Sequence, residues 1–341
     1  MNTFTGQPLT IEAILNRYEP QLHGCRDRIL ADLMKTPGTA VLAGYFQGGK
    51  MFRALLTFVA ASAIGIEPSK MITVASALEL LHGASLIHDD IVDEAAERRG
   101  RPALHVQMGI GPALILGDYL ILRSFTVLRE SHDIYGPERV LEASHTLNDY
   151  AQLSCLGELH ELMPTGEGNP EDEYLTIVRE KTASQFAAAV TLPAILGGGT
   201  SVEIEALRTY GLNVGIAFQI QDDVLDIVED TGLLGTPVGT YLVKERLLLP
   251  LIYLERYGSP TALRHYHRIP QAEASRRVHL AALLKEEGIL DRIKTTQDRY
   301  LSAALQALEC LRPSDELTVL SVLASAAVNH HTYHTSLRPK L

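Results

Sequence analysis

The sequence predicts an all-α protein, one helical domain that takes in residues 1–341. Three observations point there. Apolar residues return at spacings of three and four, with very little alternation of period two. Stretches carrying Pro and Gly separate these periodic runs. Hydrophobic residues make up 46% of the chain against 21% charged, enough for a sizeable core and too apolar for global disorder.

Residues 11–34 read as a first helix and 50–66 as a second. A third begins after Pro68 and Ser69 and runs through Leu78, Leu81, Leu86, Ile87 and Ile91. It is apolar on most faces, which places it at the centre. Residues 114–128 and 140–162 continue the pattern. The next helix has a legible start, with Asn169 as cap, Pro170 at the first helical position and acids in the first turn. It runs through Ile177, Val178 and Phe186 to about Pro193, before the break at Gly197, Gly198 and Gly199. A long helix over 202–228 leaves through Gly232, Gly235 and Pro237, and shorter helices follow. The stretch 264–279 carries Arg264, His265, His267, Arg268, Arg276, Arg277 and His279. It reads as a solvated basic face, with docking of a partner or phosphate group as the alternative.

Thirty Lys and Arg against 41 Asp and Glu give a formal charge of −11, which argues against nucleic acid as the main partner. Cys25, Cys155 and Cys310 are scattered and odd in number, so neither a disulfide framework nor a zinc site is expected. The start of the chain has no secretory pattern, and the apolar runs 54–66 and 247–254 are too short to span a bilayer. The expected setting is cytoplasmic, without a membrane span.

Two acid clusters carry the chemistry. Asp89 and Asp93 are four apart at the end of the central helix and share a face, with Asp90 about 100° round. Three carboxylates at a helix C-terminus repel one another and meet the unfavourable end of the dipole, so positive charge must stand there. Asp222, Asp223 and Asp226 repeat the spacing on a helix otherwise built from Ile216, Phe218, Ile220, Val224 and Leu225. One DDxxD is a weak signal. Two on apolar helices, facing across a bundle, suit oxygen-seeking divalent ions, Mg2+ above all, bridging to a diphosphate. No Gly-rich phosphate loop with Walker spacing is present. A dry apolar bundle favours ionisation of the diphosphate ester to a carbocation over hydrolysis or phosphoryl transfer.

Lys50 and Arg53 fall three apart at a helix start, His82 lies about two turns before Asp89, and Arg99 follows the first acid cluster. These three cations and one candidate cation have no acidic partner in the local sequence. They suggest a second diphosphate held by side chains rather than metals.

The chain resembles the trans-type polyprenyl diphosphate synthases, class I isoprenoid synthases, over roughly residues 48–250. The first motif reads HDDIVDEAAERRGRPALH from His88 and the second GIAFQIQDDVLDIVED from Gly215, with GGKMFR, LELLHGAS, GDYL and REKTASQF in the expected order. The resemblance implies the isoprenoid synthase fold, a single-domain antiparallel helical bundle around a deep central cavity, and a Mg2+-dependent prenyltransferase, commonly a homodimer. Three Mg2+ ions per site are implied, with Mn2+ as a substitute. The implied substrates are isopentenyl diphosphate and an allylic diphosphate such as geranyl, farnesyl or geranylgeranyl diphosphate. Asp89, Asp90, Asp93, Asp222, Asp223 and Asp226 correspond to the metal ligands, and Arg98, Lys181, Thr182, Gln219 and Arg246 to contacts of the allylic diphosphate. Lys50, Arg53, His82 and Arg99 correspond to the isopentenyl diphosphate site, and Phe218 and Gln219 to the pair beside the reacting carbons. The implied mechanism is metal-assisted ionisation, attack by the isopentenyl double bond and proton loss.

The chain departs from the family pattern at Thr236, Tyr241, Glu245, Arg246 and Leu248, in GTPVGTYLVKERLLLP, and Met51 stands where an arginine is usual. Ala84 and Ser85, just upstream of the first acids, are small where short-product members carry aromatics. They leave room for a C20 or longer product, with C25 or more favoured unless Met108, Tyr119 or Phe125 forms a floor. Two other readings stay open. One is a carbocation-cyclising synthase on the same bundle; the other is a weakly active regulatory or partner subunit of a heteromeric synthase.

Overall fold

The computed structural model describes residues 9–47, 49–228, 246–269 and 276–329. The regular elements among the described residues are helices apart from a two-stranded antiparallel ribbon, β1 (Glu97–Arg98) and β2 (Arg101–Pro102). The expected all-α architecture is what forms.

Helix α1 (Ile11–Leu33) starts where Thr10 accepts from the Ala13 amide, a side-chain cap. A single 3-10 turn, Ala40–Leu42, and the short α2 (Ala43–Phe46) follow, neither foreseen from periodicity. Helix α3 (Phe52–Ala63) starts two residues later than expected, because Met51 adopts a left-handed conformation with φ 47°. That conformation costs a non-glycine residue about 1 kcal/mol or more and interrupts helical hydrogen bonding. Helix α4 (Ile72–Val92) is the central helix, its Val74–Leu80 segment largely buried against α1 and α3. Beyond the ribbon come α5 (Leu104–Met108), α6 (Ile110–Arg129), α7 (His132–Tyr135) and α8 (Pro137–Leu162).

Asn169 caps the next helix as expected, accepting from the Glu171 amide at 3.2 Å. The single helix expected to reach about Pro193 is instead three pieces. Helix α9 (Pro170–Val178) passes into a π turn, Arg179–Ala183, and then α10 (Ser184–Gly197). Such turns insert a residue into the helical ladder and re-aim the side chains they carry. Nearly every side chain of α10 is buried. Its neighbour α11 (Ser201–Val228) approaches so closely that a Cβ on Gly215 would lie 2.5 Å from the Ala183 Cα, and one on Gly211 2.7 Å from the Ala187 Cα. Only glycine permits that separation.

The chain closes with α12 (Leu249–Tyr257), α13 (Pro260–Tyr266), α14 (Arg276–Glu286), α15 (Ile289–Ala307) and α16 (Asp315–Val328). One large apolar core lies among α1, α3, α4, α10 and α11, and a second joins α12, α14 and α15 to the end of α11. The basic stretch is less solvated than expected. Arg276 is buried beside the Tyr266 ring, and Arg277 donates to the Ile227 carbonyl at 3.1 Å, satisfying an end of α11. The exit through Gly232, Gly235 and Pro237 lies outside the described residues, as do Thr236, Tyr241 and Glu245.

Among the described residues two helical stretches are long and apolar enough to cross a membrane by length and composition, Pro68–Val92 and Ile110–Tyr135. The expectation of no span rests on other apolar runs, and a core helix of a soluble bundle has the same length and composition. The first is largely buried in the bundle, as a core helix is; the second turns Ile110, Leu114, Ile115 and Leu122 outward.

Candidate active site

A cavity of about 1220 Å³ opens among α3, α4, α8, α9 and α11. Asp89 and Asp93 line it from the end of α4, and Asp222 and Asp223 line it from α11. The two acid motifs, far apart in sequence, therefore meet in one space. Both sit where a mostly apolar helix exposes one polar stripe, so burying the helix delivers the acids to the cavity wall.

The remaining two acids are placed differently from the expectation that all six face the same space. Asp90 is 1% exposed and is not part of the lining. It accepts from Arg98 Nε at 2.8 Å, with a second bond from the same guanidinium, and from the Tyr45 hydroxyl at 2.9 Å. Its carboxylate thus anchors Arg98, which itself lines the cavity. Asp226 is fully buried and also stands behind the lining.

Electrostatics of the lining acids follow from desolvation. Burial pushes the Asp89 carboxyl up to about 6, against the pull of Lys181 and with a further push from Glu158. Burial pushes Asp223 up to about 7, although Tyr174 and Gln219 both donate to it, at 2.6 and 2.9 Å. Ionised acids in such surroundings call for cations. Among the described residues no three of these side chains draw together into a ready-made metal cage. Mg2+ does not require one, since it is commonly held by one or two carboxylates plus substrate phosphate and water oxygens. The donors offered here are hard carboxylate oxygens on opposing walls, which suits that mode of binding.

The side chains expected to contact the allylic diphosphate are partly engaged with one another. Thr182 donates to Gln219 Oε1 at 2.8 Å, and Gln219 passes the chain on to Asp223. Lys181, carried by the π turn, pairs with Glu161 at 2.7 Å and also with Glu158, both from α8. Gly157 allows this approach: a Cβ there would lie 2.3 Å from the Lys181 amide nitrogen. Arg246 does not line the cavity; its buried guanidinium pairs with Asp93 and Glu161 just behind it.

Lys50, Arg53, His82 and Arg99 all line the same cavity. Burial holds the Lys50 ammonium down, to about 8. His82 is pushed well below its ordinary value by burial, with Arg53 and Arg99 adding to the effect, so this candidate cation is a neutral hydrogen-bonding ring. An acidic partner, absent from the local sequence, arrives through the fold. Glu79 of α4 lines the cavity near Arg53 and Arg99 and accepts from the Ala54 amide at 2.9 Å. The rings of Phe52, Phe186 and Phe218 form a tilted series, 5.8 and 5.2 Å between centroids, with the Arg53 guanidinium 5.3 Å from the Phe186 ring.

Of the two small residues expected at the floor, Ser85 lines the cavity and Ala84 does not, being wholly buried on another face of α4. Adjacent positions on a helix diverge by about 100°, and the rotation of α4 turns Ser85 to the space and Ala84 into the core. Phe125 and Ile121 of α6 also line it, whereas Met108 and Tyr119 do not. Tyr45, Glu79, Glu158, Glu161 and Tyr174 were not singled out from the sequence.

Known proteins resemble this chain over most of its length. The polyprenyl synthetase family model matches residues 38–286. The octaprenyl diphosphate synthase of Haemophilus influenzae is 30% identical, over 95% of this chain and 98% of its own. The short chain isoprenyl diphosphate synthase of Methanothermobacter thermautotrophicus is 33% identical, over 81% and 85% respectively. The polyprenyl synthase of Caulobacter crescentus, solved with calcium and isoprenyl diphosphate, superposes with a TM-score of 0.84 at 29% identity, over 95% of this chain and 99% of that one. On its cavity, its paired acid motifs and these matches, the chain belongs to the polyprenyl synthetase family.

Proposed function

We propose that this chain condenses an allylic diphosphate with isopentenyl diphosphate, head to tail and trans, to give a longer polyprenyl diphosphate. The observation that carries the reading is the presence of both acid motifs and a separate set of cations on the walls of one cavity. Mg2+, or Mn2+ in its place, bound by Asp89, Asp93 and Asp222 would neutralise charge as the diphosphate departs. Arg98, held by Asp90, and Lys181 would bind the same group. Lys50, Arg53 and Arg99, with neutral His82, would hold isopentenyl diphosphate by its own anion, bringing its double bond to the allylic carbon. The faces of Phe218 and Phe186 favour positive charge there, and the apolar lining excludes water. The released diphosphate takes the proton. A cyclase would have no use for the second cation set, which favours condensation.

Ser85, small where it lines the cavity, supports a product of C20 or longer. The outward apolar side chains of α6, with Leu156, Leu159 and Leu162 of α8, support a homodimer in which a second copy covers them. A cytoplasmic setting fits the burial of α4 within the bundle. The test is incubation of the purified protein with Mg2+, isopentenyl diphosphate and a geranyl, farnesyl or geranylgeranyl primer, with products sized by chromatography. Longer prenyl diphosphates are expected, and products formed without isopentenyl diphosphate would refute the reading.

A further inference from the structure

Glu161 lies in neither acid motif, yet it lines the cavity and faces two cations, Lys181 on the wall and Arg246 behind it. Its Oε2 accepts from Lys181 Nζ at 2.7 Å and also pairs with the Arg246 guanidinium, whose other nitrogen holds Asp93. Lys181 is shared in turn with Glu158. The result is a chain of alternating sign, Asp93, Arg246, Glu161, Lys181, Glu158, with three carboxylates to two cations. Arg246 and Asp93 are 6% and 5% exposed at their side chains, so solvent screens this pairing weakly.

Building on the functional reading above, we propose that Glu161 is a positioning residue that couples metal binding to diphosphate binding. A diphosphate that approaches Lys181 competes with Glu161 for the same ammonium. Each charge-assisted bond it gains there replaces one already made, so the net gain is only the difference. Asp93 and Glu161 would hold a divalent cation, and with that positive charge beside them the two carboxylates would grip Arg246 and Lys181 less tightly. The two ligands thereby strengthen each other, and by linkage the factor is the same in both directions. Glu161 makes the site discriminate against diphosphate that arrives without its metal.

Inorganic pyrophosphate, titrated calorimetrically into the full chain with chelator and again with saturating Mg2+, tests this. Glu161→Gln keeps the shape and removes the charge. It should tighten metal-free pyrophosphate binding about tenfold while changing the Mg2+-saturated affinity less, so that the ratio of the two dissociation constants falls. Metal-free binding that is unchanged or weaker would overturn the proposal. Should that variant fold poorly by circular dichroism, Glu158→Gln relieves Lys181 of one partner and should tighten metal-free binding by a smaller factor; no change there also overturns it. Wild-type protein that fails to bind pyrophosphate with Mg2+ would instead refute the functional reading. An unaltered ratio in a folded variant removes only the role of Glu161.

Discussion

Replacing Gly157 by alanine tests how the catalytic side chains are brought together. A Cβ at this position would stand 2.3 Å from the Lys181 nitrogen, 2.8 Å from its Cα and 2.9 Å from the Glu180 carbonyl carbon. Ordinary contact begins at 3.4 Å, so the methyl is about 1 Å short of room. All three obstructing atoms are backbone and have no rotamer to escape into. Helix α8 must therefore part from the π turn. Overpacking of this kind costs about 1–3 kcal/mol, offset by the ~1 kcal/mol that alanine gains over glycine in a helix. The melting temperature should fall by only a few degrees. Turnover should suffer more, because Lys181 moves relative to Glu158, Glu161 and the acid motifs, and a misplacement of about 1 Å costs on the order of a hundredfold in rate. The assay is initial-rate incorporation of labelled isopentenyl diphosphate beside a thermal melt. Gly111→Ala in α6, where nothing lies within 4 Å, serves as control and should keep full activity. A Gly157→Ala enzyme with the wild-type rate would refute the claim that this contact positions Lys181.

Other perturbations separate the remaining roles. Lys50 titrates near 8 in the folded chain against 10.5 ordinarily, so between these values the unfolded state binds more protons and stability rises with pH. Binding runs the other way: the charge offered to isopentenyl diphosphate is lost as pH rises through about 8, and KM for that substrate should climb; a flat KM would contradict this. Ser85→Phe should shorten the product, read by chromatography, whereas Ala84→Phe should mainly destabilise the fold by about 1–3 kcal/mol, read by urea titration. The reverse pattern would place Ala84 on the cavity wall. Tyr174→Phe removes a donor from the buried Asp223 carboxylate and should cost about 1–3 kcal/mol in the same titration, an effect absent if that bond is idle.

The bundle and both acid stripes were legible because helical period and i, i+4 spacing are local properties. Asn169 was legible for the same reason, since a cap acts within its own turn. The diversion of Asp90 to Arg98 and Tyr45 was not, because Tyr45 reaches it from α2 through the fold. The π turn at Arg179–Ala183 left no mark, as its residues are ordinary helix formers. Glu79 passed as one polar residue on an apolar helix, and its burial among arginines appears only once α3 and α4 pack. Glu158 and Glu161 carry no local signal, because their partner Lys181 reaches them only where Gly157 lets α8 close on the π turn. Choosing between Ala84 and Ser85 needed the rotation of α4 about its axis, which the packing of α1, α3 and α6 decides.

The dependence of condensation rate on free Mg2+ bears most directly on the joint work of the two acid motifs. With isopentenyl diphosphate and an allylic primer saturating, removal of divalent ions by chelator should abolish product formation and Mg2+ should restore it. Asp89→Asn and Asp222→Asn should each raise the Mg2+ concentration required. Undiminished turnover in chelator, or an Asp222→Asn enzyme with an unaltered Mg2+ requirement, would contradict the account.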